Sequence, residues 1–451
     1  MKRDIFPGSS ISVLVLSLCA TCILSAQMHP RSSQSVASKD ADLQFVVYIS
    51  RHGVRSPTGD ASQYFAYSRA AWPAWDVPPG YLTQHGYALM QDFGRYDRAL
   101  LAHDGLLSEE GCADAAHVAI IADSDQRTRE TGRALAEGMF PGCAPEVHAF
   151  PEGTPNPLFH PLHAGVGEAQ PTTVTAAIAD RIGGPPASLT QTYRSQLTEL
   201  DRILATCGVP ASDHPRTSLF DIPATLQNGK GDHGGELRGP LNTASTLSEN
   251  FLLEYAQGLP QSDVGWGCLT ENKVRTLIEL HTAAFDLTQR TPAIARMQAS
   301  NLLDRANRAM RQVATGVPDP AAPDTLGDRA LFFVGHDTNL ASVAGLLNLH
   351  WFADGRRDDT PPGSALVFEL WRSRSTGALF VRAWYTAQTL DQMRTAAPLT
   401  LQRPPQRIPL TLNGCTGPEA TTCSWSSFAK LLSQRVDPAF VETPAPRRVG
   451  D

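Results

Sequence analysis

The sequence lacks the patterns that would indicate a bound metal or nucleotide. It contains no His-Glu-x-x-His motif, no cluster of carboxylates at magnesium spacing, and neither the Rossmann nor the Walker glycine pattern. We therefore expect no metal and no organic cofactor. The chain also shows no internal repeat and no low-complexity block, which argues against a repeat architecture.

Long apolar runs are also scarce. The apolar segment from Ile11 to Leu24 follows Lys2 and Arg3 and is followed by small residues, which is typical of a secretory signal peptide. It is too short to span a bilayer comfortably, and no later stretch reaches ~18 consecutive apolar residues. We predict a signal peptide over residues 1–26, a periplasmic or secreted location, and no membrane attachment after cleavage.

Positive charge is in short supply. The formal net charge is −7, with 38 Lys and Arg against 45 Asp and Glu. This balance argues against nucleic acid as a partner, because binding a phosphate backbone requires a basic surface. We expect a monomer whose partner is a small molecule, and any anion must be bound by a local cluster of cations.

With 451 residues, of which 42% are hydrophobic, the chain can form one large or two medium domains. Residues 43–165 and 286–440 alternate buried-strand and helical patterns, which predicts an α/β fold with a mostly parallel sheet flanked by helices. Residues 166–285 contain helical patterns and few strands, so we predict an inserted all-helical cap domain. The polar stretch from Pro210 to Pro240 is expected to be a long loop, and the stretch after Val436 a loose tail.

The most informative stretch is Phe45 to Thr58, FVVYISRHGVRSPT. Its first residues are aliphatic or aromatic, which is typical of a strand buried on both faces of a parallel sheet. Open α/β sheets bind ligands beyond the carboxyl ends of their strands, so Arg51, His52 and Arg55 should converge on a crevice, with Gly53 allowing a tight turn. Two guanidiniums beside an imidazole suit a phosphate, although such arginines are more often solvated surface.

A second buried strand ends in the same way. The stretch from Leu331 to Asn339, LFFVGHDTN, delivers His336 and Asp337 directly after an apolar run. A third apolar run, Val118 to Ala122, is followed by Arg127 at the start of a predicted helix. Taken alone, Arg127 is more simply explained as a surface residue than as a ligand.

Together, three segments resemble the signatures of the histidine acid phosphatase family, and in particular its bacterial periplasmic phytase and acid phosphatase branch. They are RHGVRSPT, ADSDQRTRETG from Ala122 to Gly132, and GHDTN. The resemblance extends from about Leu43 to about Phe428 and implies a phosphoglycerate-mutase-like fold. It implies an acid phosphatase that hydrolyses phosphate monoesters through a phosphohistidine intermediate, with phytate (myo-inositol hexakisphosphate) as the main substrate.

The resemblance also assigns roles to individual residues. His52 is the expected nucleophile, and Asp337 the general acid that protonates the leaving alkoxide and then activates water. The phosphoryl oxygens are expected to be bound by Arg51, Arg55, Arg127, His336 as an imidazolium, and Thr58. Since an aspartic acid normally loses its proton near pH ~4, this arrangement favours acidic conditions.

Six cysteines follow the predicted signal peptide, which in an exported protein implies disulfide bonds: Cys112, Cys143, Cys207, Cys268, Cys415 and Cys423. The last two are close enough in sequence to close a small loop. The family resemblance supports a bond between the first two. Cys207 and Cys268 would then pair, with two free thiols as the alternative.

Substrate choice is less clearly encoded. GHDTN and Thr58 resemble phytases rather than glucose-1-phosphatases. Phytases of this group often carry a lysine directly after that threonine, where this chain has Gly59, and a basic position expected near Arg296 falls on Gln298. Both changes remove positive charge from the region that would meet a polyphosphorylated ring. A broad-specificity or sugar-phosphate acid phosphatase is therefore the alternative.

In relatives the cap forms the far wall of the substrate cleft, so Glu249 and His281 are expected beside the substrate, with Glu249 as a reserve acid. A surface carboxylate and a helix histidine are the plainer interpretation. Two other functions remain open. A phosphoglycerate-mutase-like phosphotransferase shares the RHG motif but is normally cytosolic, and a non-catalytic binder of phosphorylated ligands would need neither His52 nor Asp337.

Overall fold

The computed structural model describes residues 40–143, 145–208, 215–229, 234–419 and 421–443, so the predicted signal peptide lies outside the described residues. The strands are β1 (Ala41–Arg51), β2 (Val118–Ala122), β3 (Val147–His148), β4 (Thr225–Asn228), β5 (Gly235–Arg238), β6 (Ala330–Gly335), β7 (Phe352–Ala353), β8 (Arg356–Arg357), β9 (Ala365–Ser373), β10 (Leu379–Ala387), β11 (Gln406–Leu410) and β12 (Thr422–Ser424). The helices are α1 (Ala61–Phe65), α2 (Gln84–His103), α3 (Gln126–Met139), α4 (Pro171–Ile182), α5 (Ser188–Thr192), α6 (Arg194–Thr206), α7 (Pro240–Ala256), α8 (Glu271–Thr288), α9 (Pro292–Thr315), α10 (Asp337–Leu347), α11 (Leu390–Thr395) and α12 (Trp425–Arg435).

One mixed sheet forms the centre of the fold. Its strands lie in the order β11-β10-β9-β1-β6-β2-β3, and β12 pairs with β10. Strands β1, β6, β2 and β3 are parallel, whereas β9, β10 and β11 each run antiparallel to their neighbours. The predicted α/β class is confirmed, with parallel core strands flanked by helices. The antiparallel half of the sheet was not predicted.

Both faces of β6, and of β1 from Phe45 onwards, are buried, which explains their continuously apolar sequence. On one face, Tyr48 of β1 stacks on Phe332 of β6 with ring centroids 4.3 Å apart, in a cluster that includes Phe93 of α2. On the other face, Val47 and Phe333 pack in a cluster with residues of α9 and α10. Helices on both sides leave no solvent-facing stripe on these strands.

The described residues between positions 166 and 285 form helices joined by loops, as predicted, and one additional strand pair. Strands β4 and β5 pair antiparallel, with Thr225 opposite Arg238, inside the stretch that was expected to be a loop. That prediction is wrong for these residues, because strands of four mostly polar residues carry no apolar run. Within this region, Tyr193 separates the short helix α5 from α6. The division into a catalytic domain and a cap domain stays a prediction.

The stretch after Val436, expected to be a loose tail, packs on the fold as far as it is described. Pro438–Phe440 form a 3-10 turn, and the Phe440 side chain is buried against Val174 and Ile178 of α4. Further along, the carbonyl of Glu442 accepts a hydrogen bond from Arg305. The buried ring and this hydrogen bond together hold the segment against the fold.

Three disulfides are present, and they are the three expected pairs: Cys112–Cys143, Cys207–Cys268 and Cys415–Cys423. The alternative of two free thiols at positions 207 and 268 is therefore wrong. The bond between these two residues joins the end of α6 to the segment before α8. In the described part of the chain, no helix is both long enough and apolar enough to cross a membrane.

We expect loss of the Cys207–Cys268 bond to destabilise the protein more than loss of Cys415–Cys423. The two bonds span 61 and 8 residues, so by loop-closure entropy they stabilise the fold by about 4 and about 2.5 kcal/mol. Thiol counting on the denatured, unreduced protein should find no free thiols. Denaturant unfolding of the two double-alanine variants measures the difference, and equal losses would contradict this account.

A buried carboxyl in α7 should make stability depend on pH. Glu254 is buried and accepts a hydrogen bond from the N–H of Gly265 at 2.8 Å. Burial raises the pKa of Glu254 to about 8, above its unfolded value of about 4.3. The neutral form of Glu254 therefore stabilises the folded protein at low pH, and this contribution to the free energy of unfolding is lost as pH rises from about 4 towards 8.

The free energy of unfolding of Glu254→Gln, relative to that of the wild type, should therefore increase by about 3 kcal/mol between pH 4 and pH 7. Urea unfolding of both proteins at the two pH values measures the effect. Glutamine keeps the shape and an acceptor for Gly265, so packing changes contribute equally at both pH values. A stability difference that does not change with pH would rule out a neutral, buried Glu254.

Candidate active site

Three strands end at one level of the sheet and bring the three motifs together. Arg51 at the end of β1 lies opposite Gly335 of β6, and Ala122 of β2 lies opposite Val334. The N–H of His52 donates to the carbonyl of Gly335 at 2.9 Å. The residues that end or directly follow these strands therefore lie together at the carboxyl edge of the sheet, where open α/β sheets bind ligands.

Gly53 is required here by close packing. A Cβ at this position would lie 2.8 Å from Cγ of Met90 and 3.0 Å from the carbonyl oxygen of Gly86, both on α2. Its N–H donates to Oγ1 of Thr131 on α3 at 3.0 Å. The glycine thus lets the turn after β1 approach two helices, which differs from the tight-turn role predicted for it.

The geometry of His52 leaves one ring nitrogen available as a nucleophile. Its Nδ1 lies 2.8 Å from the carbonyl oxygen of Gly53, which can only accept, so Nδ1 carries the proton and Nε2 the lone pair. Burial holds the pKa of His52 well below its usual range, and the charges of Arg127, Arg51 and Arg55 lower it further. Both effects favour the neutral form of the imidazole.

Three arginine side chains lie around His52, and in each of them one N–H donor has no acceptor in the described residues. Among the described residues, the Nε atoms of Arg51, Arg55 and Arg127 are buried and have no hydrogen-bond partner. Other donors of these arginines are occupied, since Nη1 of Arg51 donates to the carbonyl of Thr360 at 2.6 Å and Nη1 of Arg55 to that of Ser56 at 3.0 Å. Three such donors around one imidazole suit the oxygens of an anion.

Arg127, at the start of α3, is fixed by a carboxylate and lies beside the second histidine. Its Nη2 is 2.5 Å from Oδ2 of Asp125 and 3.4 Å from Nδ1 of His336. Thr58 and Arg127 both lie beside Gly80. A Cβ built on this glycine would be 3.6 Å from Cγ2 of Thr58 and 3.7 Å from Nη1 of Arg127. Thr58 is exposed and forms the rim of the site.

His336 is buried and donates from Nε2 to Oδ2 of Asp123 at 2.6 Å. Burial and the charge of Arg127 lower the pKa of His336, and they outweigh the opposite effect of Asp123. The role of His336 as an imidazolium donor stays a prediction. Burial alone would raise the pKa of Asp123, but hydrogen bonds from His160 and His336 hold it well below its usual range.

Asp337 is the first residue of α10 and contacts the arginine cluster. Its Oδ2 lies 2.9 Å from Nη2 of Arg51, and its Oδ1 accepts the N–H of Thr338 at 2.8 Å. The same Nη2 of Arg51 also contacts Oε1 of Glu249, which Arg55 approaches at 3.3 Å. Arg51 therefore bridges the expected proton donor and a carboxylate from α7.

These observations agree with the comparison to known proteins. The chain matches the family described as Histidine phosphatase superfamily (branch 2) over residues 42–386. The chain belongs to this family. The resemblance inferred from RHGVRSPT and GHDTN is thereby confirmed.

Relatives of this phosphatase include enzymes with two different named substrates. It is 39% identical to the phytase AppA of Escherichia coli (strain K12), over 91% of this chain and 96% of that protein. It is 29% identical to a glucose-1-phosphatase of Providencia rettgeri, over 94% and 99%. The structure of the phytase from Citrobacter braakii superimposes with a TM-score of 0.81 at 37% identity, over 89% of this chain and 100% of that chain.

Glu249 is a buried ion-pair partner in this phosphatase and not the surface carboxylate of the plainer interpretation. Burial alone would raise its pKa, but the charges of Arg55 and Arg51 hold the pKa of Glu249 well below its usual range. It cannot easily serve as the reserve acid suggested from the sequence. His281 is also buried, and its Nδ1 lies 3.1 Å from Oγ of Ser245. A ring nitrogen of His281 and carboxylate oxygens of Glu249 and Asp337 lie within 4.8 Å of one another.

The position expected to carry a lysine is shaped for glycine. The N–H of Gly59 donates to the hydroxyl of Tyr64 at 2.7 Å, and a Cβ there would lie 2.6 Å from that oxygen and 2.6 Å from Oε1 of Gln63. A lysine would require Tyr64 to move. Gln298, the second expected basic position, is buried on α9.

Sequence reasoning missed Asp123 and His160 as neighbours of the site. Oδ2 of Asp123 accepts hydrogen bonds from both His336 and His160, the latter at 3.0 Å. Asp123 follows its strand directly, as His52 and His336 follow theirs, and this signal could have identified it. His160 follows no strand and carries no comparable signal.

Proposed function

We propose that this protein is an acid phosphatase that hydrolyses phosphate monoesters, with phytate as its main substrate, through a phosphohistidine on His52. One observation carries the proposal: a neutral imidazole with a free Nε2 lies among three arginines whose buried Nε–H groups have no partner in the described residues. Such an arrangement binds a phosphoryl group and presents a nucleophile to its phosphorus.

In the first step, Nε2 of His52 forms a bond to phosphorus as the ester P–O bond breaks. Arg51, Arg55 and Arg127 compensate the charge on the phosphoryl oxygens, with His336 and Thr58 completing the binding set. The carbonyl of Gly53 holds the proton on Nδ1 and stabilises the ring as it becomes positively charged. Asp337 donates a proton to the departing alkoxide.

In the second step, water hydrolyses the phosphohistidine. Asp337, now a carboxylate, takes a proton from the attacking water, the N–P bond breaks, and inorganic phosphate leaves. Its contact with Arg51 keeps the Asp337 side chain next to the phosphoryl group in both steps. His52 returns to its neutral form.

A sugar phosphate is the second candidate substrate. The relative from Providencia rettgeri is named a glucose-1-phosphatase, and the space at Gly59 is filled by Tyr64 and not by a lysine. A single phosphate on a small sugar needs fewer cations at the rim than a hexakisphosphate does. The lack of a lysine at position 59 affects which alcohol is bound as the leaving group and does not change the reaction at phosphorus.

We further propose that the protein acts as a monomer in the periplasm or outside the cell and needs no metal or cofactor. Three disulfides suit an oxidising compartment. The site contains a nucleophile, cationic donors and an acid, which together complete the reaction.

Phosphate release tests the proposal directly. The mature protein should be assayed from pH 3 to 8 without added metal on phytate, glucose 1-phosphate and p-nitrophenyl phosphate. We expect release from all three, highest on the acidic side, with the largest kcat/KM for phytate. A larger kcat/KM for glucose 1-phosphate would overturn the substrate assignment, and no turnover on any of them would overturn the enzymatic function.

A further inference from the structure

We propose that Asp123, His160 and His336 form an inhibitory binding site for a divalent transition metal ion such as Zn²⁺, with Asp125 as a fourth ligand. Oδ2 of Asp123 lies 2.6 Å from Nε2 of His336 and 3.0 Å from Nε2 of His160. Oδ2 of Asp125 lies 3.8 Å from Nε2 of His336. Two imidazoles and two carboxylates are a donor set that suits zinc.

The ligand atoms of Asp123, His160 and His336 all lie within 4.8 Å of one another. Zinc bonds of 2.0–2.2 Å place neighbouring ligand atoms about 3.4 Å apart, so these three need to shift by about 1 Å or less, and the side chain of Asp125 rotates to complete the site. In the described residues, Oδ1 of Asp123 is buried and has no hydrogen-bond partner, which leaves a second oxygen of this carboxylate for a cation. The side chains of His160 and Asp125 are 33% and 35% exposed and give an ion access from solvent.

The cluster is also held in place by its surroundings. Asn339 accepts the backbone N–H of His336 at 2.9 Å and donates to the carbonyl of Phe159 at 2.9 Å. It thereby ties the turn that carries His336 to the residue before His160. The N–H of His160 donates in turn to the carbonyl of Asn156 at 2.8 Å. Two ligands from distant parts of the chain are thus positioned by one amide, as metal sites require.

Local charge favours this cluster over the other group of possible ligands, Glu249, His281 and Asp337. The two carboxylates of that group contact two arginines, Arg51 and Arg55, so their charges are already compensated. The two carboxylates at positions 123 and 125 contact one arginine, Arg127, through Asp125. Their remaining negative charge attracts a cation.

Metal binding should interfere with the phosphate site through His336. A neutral imidazole that binds a metal through Nε2 carries its proton on Nδ1. Nδ1 faces Nη2 of Arg127 at 3.4 Å, so two donors would then oppose each other and Arg127 would be displaced. Since Arg127 is one of the three arginines of the proposed phosphate site, the ion should slow hydrolysis. This inhibitory effect rests on the proposed function, whereas metal binding itself does not.

Zinc titration of the chelator-treated mature protein at pH 7, followed by calorimetry, tests the binding. We expect one Zn²⁺ per chain, and at least ~10-fold weaker binding in His160→Asn, whose amide can still donate to Asp123. His103→Asn is the matched control, because His103 contacts Asp104 at 3.0 Å on the surface, and it should bind as the wild type does. No binding by the wild type, or equal binding by His160→Asn, would overturn the site.

Co²⁺ provides a test that needs no variant. In the wild type, Co²⁺ should give the visible absorption of a four-coordinate site, and Zn²⁺ should abolish this absorption by displacing the cobalt. If no such absorption appears, the site is overturned.

Inhibition should then be measured with p-nitrophenyl phosphate, because phytate itself binds zinc. Zn²⁺ should slow the wild type and His103→Asn at concentrations that leave His160→Asn unaffected. Binding without slower hydrolysis would overturn the inhibitory role, and a protein inactive on every phosphate ester would still report on the site through the calorimetry.

Discussion

His52→Ala should lower turnover by roughly 10⁴-fold or more, because the covalent step requires its imidazole. Acid-labile phosphoenzyme should no longer accumulate when the variant is mixed with a radiolabelled phosphate ester and quenched. Inorganic phosphate should still bind, since the three arginines that surround His52 remain. This combination of lost chemistry and retained binding is specific to a nucleophile.

The variant also allows chemical rescue. His52 is almost fully buried, so alanine leaves a space of the size of an imidazole ring next to the arginines. Added imidazole should restore cleavage of aryl phosphates and give free phosphoimidazole as the product. His103→Ala, on the surface of α2, is the control and should keep full activity. Retention of more than a small residual rate by His52→Ala would show that another residue is the nucleophile.

Asp337→Asn should slow alkyl phosphates far more than aryl phosphates. An alkoxide is a poor leaving group and needs the proton of Asp337, which is worth about 10²–10⁴-fold, whereas a phenolate leaves with less help. Asparagine keeps the size of the side chain, so positional effects are small. Initial-burst rates should be compared, because slow hydrolysis of the phosphoenzyme would otherwise mask the pattern.

Arg127→Ala provides the contrast for this experiment. Arg127 acts on the phosphoryl group that all substrates share, so its loss should slow both classes by a similar factor of about 10²–10³. Equal slowing of both classes by Asp337→Asn would remove Asp337 as the proton donor. Glu249 is then a poor replacement, because its ion pairs with Arg51 and Arg55 keep it ionised, and His281 would be the next residue to replace.

Some features of the site were predictable because a buried parallel strand is apolar on both faces. That pattern identifies the runs from Phe45, Val118 and Leu331 as strands, and the polar residues after each run then lie at one edge of the sheet. The expectation that Arg51, His52 and His336 lie at one edge follows from this pattern, whereas the place of Arg127 beside them followed from the family resemblance. Their roles in catalysis stay predictions.

Other features depend on contacts between residues that are distant in the chain. Glu249 reaches Arg51 across 198 positions, and no pattern in α7 distinguishes it from a surface carboxylate. The shared hydrogen bonds of Asp123 with His160 and His336, and the protonation of His336 that they influence, depend on how the turn at Phe159 packs.

By itself, the sequence determined the parallel core, the family, the residues at the strand ends and the presence of disulfides, because each depends on local pattern or on composition. The tertiary structure decided the direction of the outer strands, the hairpin of β4 and β5, the pairing of Cys207 with Cys268, and the buried position of Glu249. These depend on which distant segments pack together, and the free energy of that packing is distributed over many weak contacts. The packing of these segments can therefore not be read from any short stretch of sequence.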